Sequence, residues 1–191
     1  MPIPGFNTGG LIPPFVGTDA TTAERSPYIV TMSEFAATFG TSPHRRVLIR
    51  NLIAYRSLLA TDGYESGIQF VDGSFVENVE VIQGRDPEDI DVFSLLSVPQ
   101  KYLSDLAAWH ENGFPFWQNE IVDQAKNKDR FSLDTYAMLY EEMQPISLIK
   151  NVIYWYGLFS HQRDTYAWKG FVAVVLNPAE DKAALVSMGA A

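Results

Sequence analysis

The run Asp89-Ile90-Asp91-Val92-Phe93 constrains this chain more than any other segment. Successive side chains of a strand point to opposite faces, so aspartates at i and i+2 share one face while Ile90 and Val92 enter a core behind it. Asp-x-Asp alone is commoner in solvated turns. Here it leads through Ile90, Val92 and Phe93 to Leu95 and Leu96, a stretch rich in strand formers. An aspartate is disfavoured in such a strand unless a ligand offsets its desolvation. The pattern points to a divalent-cation site for phosphoryl transfer, with one or two ions shared by the pair.

Upstream, Ser66-Gly67-Ile68-Gln69-Phe70-Val71 reads as a short strand ending at Asp72-Gly73-Ser74. Glycine lets the backbone approach a ligand closely. Amides after that turn, with the Ser74 hydroxyl, are suited to cradling a triphosphate whose oxygens are bridged by Mg²⁺ (or Mn²⁺) ions on the aspartates. Without Asp89 and Asp91, Gly73-Ser74 would be an ordinary hairpin turn.

Gly73-Ser74 followed by Asp89-Ile90-Asp91 resembles the signature of the polymerase-β-like nucleotidyltransferase superfamily, over roughly residues 43–140. Asp72-Gly73-Ser74-Phe75-Val76, Pro87-Glu88-Asp89-Ile90-Asp91-Val92 and the early Gly10-Leu11-Ile12-Pro13-Pro14 are similar to a group of small bacterial and phage-related members. The resemblance implies an α/β (α+β) domain built on a small, mixed, twisted sheet flanked by helices. It also implies a third carboxylate on a later strand, for which Asp134 in Ser132-Leu133-Asp134-Thr135-Tyr136 is the best candidate. Glu120, Asp123 and Asp129 lie in a polar, lysine-containing stretch that reads as a helix end and loop. The subgroup further suggests that a basic residue beside the last strand, Arg163 or Lys169, meets the triphosphate. One departure is the fourteen residues, Phe75 to Glu88, between Ser74 and Asp89, at the long end for such enzymes. An extended hairpin is expected to absorb them, with Glu77 to Arg85 projecting near the nucleotide.

The 191 residues fit one domain with a sizeable core. A net charge of −9 argues against gripping long nucleic acid through broad electrostatics. A local basic patch around Arg45, Arg46, Arg50 and Arg56 remains compatible with it. The absence of cysteine excludes disulfides and thiolate chemistry, and His44, His110 and His161 lack metal-ligand spacing. No apolar run reaches membrane-spanning length and the start lacks a signal-peptide pattern, so a cytoplasmic protein without membrane insertion is expected.

Residues 1–30, rich in proline, glycine and threonine, read as an extended arm, residues 31–176 as the nucleotidyltransferase domain and residues 177–191 as a weak tail. Phe35 and Phe39 share a helical face that stops at Gly40. Ser42 and Pro43 start a helix to about Ala60, with Val47, Leu48, Leu52, Tyr55, Leu58 and Leu59 inward and the four arginines mostly on a solvated face. Pro99 to Asn112 reads as a helix with Tyr102, Leu103, Leu106 and Trp109 inward, followed by an aromatic break at Gly113-Phe114-Pro115-Phe116-Trp117. Ser147 to His161 reads as an aromatic helix, and Gly170 to Leu176 as a buried strand.

The expected activity is transfer of a nucleoside monophosphate from an NTP or dNTP to a hydroxyl acceptor, with pyrophosphate released. Asp89, Asp91 and Asp134 would carry the ions and the catalysis, and Gly73, Ser74, Arg163 and Lys169 the triphosphate. The acceptor is a nucleic acid, a nucleotide or a protein. By analogy with small family members, the setting is antiphage defence through oligonucleotide synthesis, or a toxin modifying tRNA or protein, with a protein partner encoded nearby. The rivals are a non-catalytic antitoxin or regulatory binding protein that keeps the fold, and an interaction protein in which Asp-x-Asp is a loop.

Overall fold

Residues 2–141, 144–163 and 165–189 are described by the computed structural model of the chain. The arm ends in strand β1 (Tyr28–Val30). The arm ahead of it also reaches the core, since Ile12 is buried there beside Tyr28 of the strand. Thr31 and Glu34 cap each other's backbone to start α1 (Met32–Phe39). Ser42 accepts from the Arg45 amide and Pro43 opens α2 (Pro43–Thr61).

β2 (Gly67–Asp72) follows, and Gly73–Val76 form a 3₁₀ turn. The insert is not a hairpin: its first part is buried at Phe75, Val76 and Val79 and leads into α3 (Val79–Ile82), while residues 81–86 are exposed and Glu77, Gln83 and Arg85 line a cleft. Its apolar residues, three or four apart, were the signal that it folds inward.

β3 (Ile90–Leu96) carries Asp91, and Asp89 lies just ahead of it. The Pro99 to Asn112 segment is interrupted. α4 (Gln100–Leu103) stops, and Asp105 accepts from the Ala108 amide to begin α5 (Leu106–Ala108). That restart leaves Leu103 and Leu106 exposed, while Tyr102 alone of the four expected inward residues is fully buried. The aromatic break is helical. π-type turns at Trp109–Gly113 and Trp117–Ile121 flank α6 (Phe114–Phe116), whose first turn accommodates Pro115. Gly113 allows this packing, because a Cβ there would lie 2.4 Å from the Trp109 ring.

α7 (Gln124–Phe131), β4 (Leu133–Leu139), α8 (Pro145–Phe159) and β5 (Val172–Val175) complete the sheet and its covers. The five strands run in the order β1-β5-β2-β3-β4. β2 is antiparallel to both neighbours, while β3 pairs with β4 and β1 with β5 in parallel, so the sheet is mixed. The class is α+β.

One face of the sheet packs on a large core with α1, α2 and the Phe75 turn. The other face forms a smaller cluster of Phe93, Met138, Trp155, Phe159 and Phe171 under α8. Much of α8 remains uncovered, with Ile146, Ile149, Ile153 and Leu158 exposed. Beyond residue 176 the Asn177 side chain accepts from the Ala179 and Glu180 amides, starting α9 (Pro178–Ser187) against α1 and α2.

Two expected surface arginines are buried. Arg45, 2% exposed, donates to the carbonyls of Phe75 and Glu77 and to Glu80. Arg56, 1% exposed, donates to Asp181, to Gln69 Oε1 and to the Val175 carbonyl. A buried guanidinium needs this many acceptors to offset its desolvation. Both arginines are fold anchors, which removes them from any basic patch. Val47, expected inward, is exposed.

Candidate active site

Strand register assembles the site. Asp72 of β2 lies opposite Asp91 of β3, and Asp91 opposite Asp134 of β4. Three aspartates thus stand in one row across three adjacent strands. By the two-residue alternation they share a face with the next row, Phe70, Phe93 and Tyr136, which meets α8. Trp155 of α8 stacks on Phe93 with centroids 4.6 Å apart, and its centroid is also 4.6 Å from that of Tyr136. The carboxylate row is therefore the edge of an aromatic cluster, where α8 stops covering the sheet and a cleft of about 760 Å³ opens.

Asp89, Asp91 and Asp134 all line this cleft, as do Gly73, Ser74, Arg163 and Lys169. Gly73 adopts φ 76°, and a Cβ on it would sit 1.8 Å from Asp91 Oδ2. Only glycine lets the turn rest against that carboxylate. Asp91 has its pKa pushed up, first by burial and then by the charges of Asp89 and Asp134, while Arg163 and Lys128 pull it the other way. Arg163 thus bears on the carboxylate row from the loop after α8.

Lys169 is placed differently from a residue that reaches into solvent for phosphate. It is 2% exposed, with Nζ 2.6 Å from Glu77 Oε1 and 3.1 Å from Asp72 Oδ1. It also approaches the Gly73 carbonyl at 3.4 Å. Burial opposes the ammonium, but Asp72 and Glu77 outweigh it and raise the Lys169 pKa. Lys169 ties the glycine turn to the segment leading into β5.

Sequence reasoning missed Asp72, Glu77 and Lys128. The clue for Asp72 was parity, since Ile68, Phe70 and Asp72 fall on one face of a strand that had been ended one residue early. Burial drives the Asp72 pKa up to about 7 despite Lys169, and its Oδ1 has no well-directed hydrogen bond among the described residues. Lys128 of α7 pairs with Asp89, and the charges of Asp134 and Asp91 also raise its pKa. No local pattern marks Lys128, because α7 and β3 meet only in the tertiary fold. Glu120, Asp123 and Asp129 stay out of the site: Glu120 pairs with Lys126 and Arg130, and Asp123 caps α7.

The donor set suits a hard divalent cation such as Mg²⁺ or Mn²⁺, since it consists of carboxylate oxygens whose mutual repulsion at Asp91 is only partly relieved by Arg163 and Lys128. The carboxylates are not drawn into a closed cage. Among the described residues no group of three or more His, Asp or Glu side chains is gathered for a metal ion. Asp89 is held by Lys128 and Asp72 by Lys169, so two ammonium groups meet part of the negative charge.

Residues 4–175 match the model of a protein family whose description is a family of unknown function. The chain belongs to DUF6932. No curated protein and no solved structure matches it. All the DUF6932 cleft residues named above, Gly73 through Lys169, fall within the matched range, as do the five strands. Only α9 among the described elements lies beyond it. No helix among the described residues is long and apolar enough to cross a membrane.

Proposed function

We propose that this cleft is the active site of a metal-dependent nucleotidyltransferase of the polymerase-β-like type. The observation that carries the proposal is the cross-strand pairing of Asp91 with Asp134 beside Gly73, with Asp89 two residues before Asp91. Asp89, Asp91 and Asp134 would hold Mg²⁺ or Mn²⁺. Once bound, such an ion supplies positive charge at the phosphates and acidifies the attacking hydroxyl.

The chain's own groups do the rest. Gly73 and Ser74 present the turn to the β and γ phosphates, and Arg163 adds a cation close to the row. Asp134 would also take the proton of the acceptor hydroxyl. The acceptor oxygen bonds to the α-phosphorus, the bond from that phosphorus to the β-bridging oxygen breaks, and pyrophosphate leaves. The wall of Tyr136, Trp155 and Phe159 keeps water from one side of the site. The acceptor is a hydroxyl on a nucleic acid, a nucleotide or a protein, in antiphage defence or as a toxin acting with an encoded partner.

The test is pyrophosphate release from each NTP and dNTP with Mg²⁺ or Mn²⁺, with and without cellular RNA and protein, against Asp91→Asn. Release dependent on Asp91 supports the assignment. One observation favours a second reading, a non-catalytic antitoxin or regulatory protein keeping the same fold: Asp89 is already paired with Lys128. Metal-independent nucleotide binding with no pyrophosphate from any mixture would select it.

A further inference from the structure

The loop between α8 and β5 is stapled around one residue that the mechanism above leaves unused. Tyr166 adopts φ 55°, in the left-handed region that residues with a β-carbon rarely enter. It is 81% exposed and lines the cleft. Its neighbour Trp168 packs on Phe15, with centroids 5.7 Å apart, whereas Tyr166 has no ring partner among the described residues. An apolar ring held in solvent at the mouth of a charged cleft, on a backbone that resists it, calls for a reason.

Gln162 imposes the conformation. Its carbonyl accepts from the Tyr166 amide at 2.9 Å, its own amide donates to the Ala167 carbonyl at 2.9 Å, and its Oε1 accepts from Thr165 Oγ1 at 2.6 Å. The Gln162 side-chain amide then donates to Glu77 Oε2 at 2.9 Å. Glu77 is the partner of Lys169, which also pairs with Asp72. The loop is thereby fastened to the buried group beneath the carboxylate row. Arg163 lies three residues before Tyr166 and bears electrostatically on Asp91. The lining of the cleft thus combines carboxylates, the Arg163 cation and an aromatic face without a ring partner among the described residues.

Resting on the nucleotidyltransferase reading, we propose that Tyr166 is the platform on which the nucleobase of the triphosphate stacks. The loop's hydrogen bonds hold the Tyr166 backbone beside the cleft, and its exposed ring offers a π-face to any base. Recognition by such a face tolerates different bases, because stacking reads shape and polarisability more than hydrogen-bond pattern.

The experiment compares two ligands on the full chain by calorimetry with Mg²⁺: the four ribonucleoside triphosphates, and inorganic tripolyphosphate, which has the phosphates but no base. Tyr166→Gly is expected to weaken nucleoside triphosphate binding about tenfold and to leave tripolyphosphate binding as in the parent. Its melting temperature should not fall, since glycine accepts the left-handed backbone. Tyr166→Phe, which keeps the ring, should restore nucleotide affinity. Equal losses for both ligands would make the loop merely structural and overturn the inference, as would unchanged nucleotide binding in Tyr166→Gly. In both of those cases binding by the parent keeps the site reading intact. If the parent binds neither ligand, that reading falls and the stacking role falls with it.

Discussion

Gly73 lies against the carboxylate of Asp91 so closely that a β-carbon would come within 1.8 Å of Oδ2. The turn and the carboxylate row are therefore one unit. Gly73→Ala must both strain a backbone at φ 76° and displace Asp91. A loss of about 1–3 kcal/mol in folding stability is expected from the strain, read by urea denaturation. Mn²⁺ affinity should fall in the same variant. Loss of stability with unchanged Mn²⁺ binding would separate the turn from the site.

Asp89→Asn and Asp91→Asn should differ in stability while both ending pyrophosphate release. Asp91 is buried beside two like charges that push its pKa up. Neutralising it should therefore raise stability, because the burial cost and the repulsion from Asp89 and Asp134 are both removed. Asp89 pairs with Lys128 at a partly exposed position, so Asp89→Asn should gain nothing and lose at most ~1 kcal/mol. Thermal melts in a chelating buffer check the contrast. Added Mn²⁺ should raise the melting temperature of the parent and of neither variant.

Lys128 occupies Asp89 and faces the other two aspartates of the site. A cation arriving there has to displace or tolerate that ammonium. Lys128→Ala should therefore tighten Mn²⁺ binding about fivefold, corresponding to ~1 kcal/mol for a partly exposed ion pair. Electron paramagnetic resonance of free Mn²⁺ measures this without any turnover. Weaker binding in Lys128→Ala would show that the lysine supports the site instead of competing for it.

Asp72 gives the stability a definite pH dependence. Its folded pKa of about 7 lies above the ordinary aspartate value of 3.8, so the folded state holds the proton more tightly than the unfolded chain. Stability from this group is greatest below pH 3.8 and declines as pH rises toward 7, because the unfolded chain gives up its proton first. Asp72→Asn should flatten that decline. Melting temperatures from pH 4 to 8 in metal-free buffer provide the test, with the parent curve falling more steeply than that of the variant.

Several elements were legible because their signals are local. Ser42-Pro43 ahead of an apolar stripe marks α2, the alternation from Ile90 marks β3, and Val172 to Val175 reads as a buried strand. The Asn177-Pro178 start of α9 was equally local, with Glu180 and Asp181 favourable in its first turn. It was passed over because the segment beyond it lacks a strong apolar stripe. Arg45 and Arg56 misled for the opposite reason. Charge placed them on the surface, and only partners far along the chain, Glu80 for one and Asp181 for the other, make their burial tolerable.

By itself, the sequence determined that Asp91 rides on a strand with Asp89 two residues before it, that a glycine turn precedes them, and that Asp134 rides on a strand of its own. Period, turn chemistry and β-propensity act between near neighbours, so they can be read without a fold. Only the tertiary structure decided that β3 and β4 pair in a register setting Asp91 beside Asp134, and that Asp72 joins the same row. It alone brought Lys128 to Asp89, buried Lys169 between Asp72 and Glu77, and left Tyr166 bare at the cleft mouth. Those relationships depend on strand register and helix packing across long stretches of chain, where a one-residue slip would turn each aspartate to the opposite face.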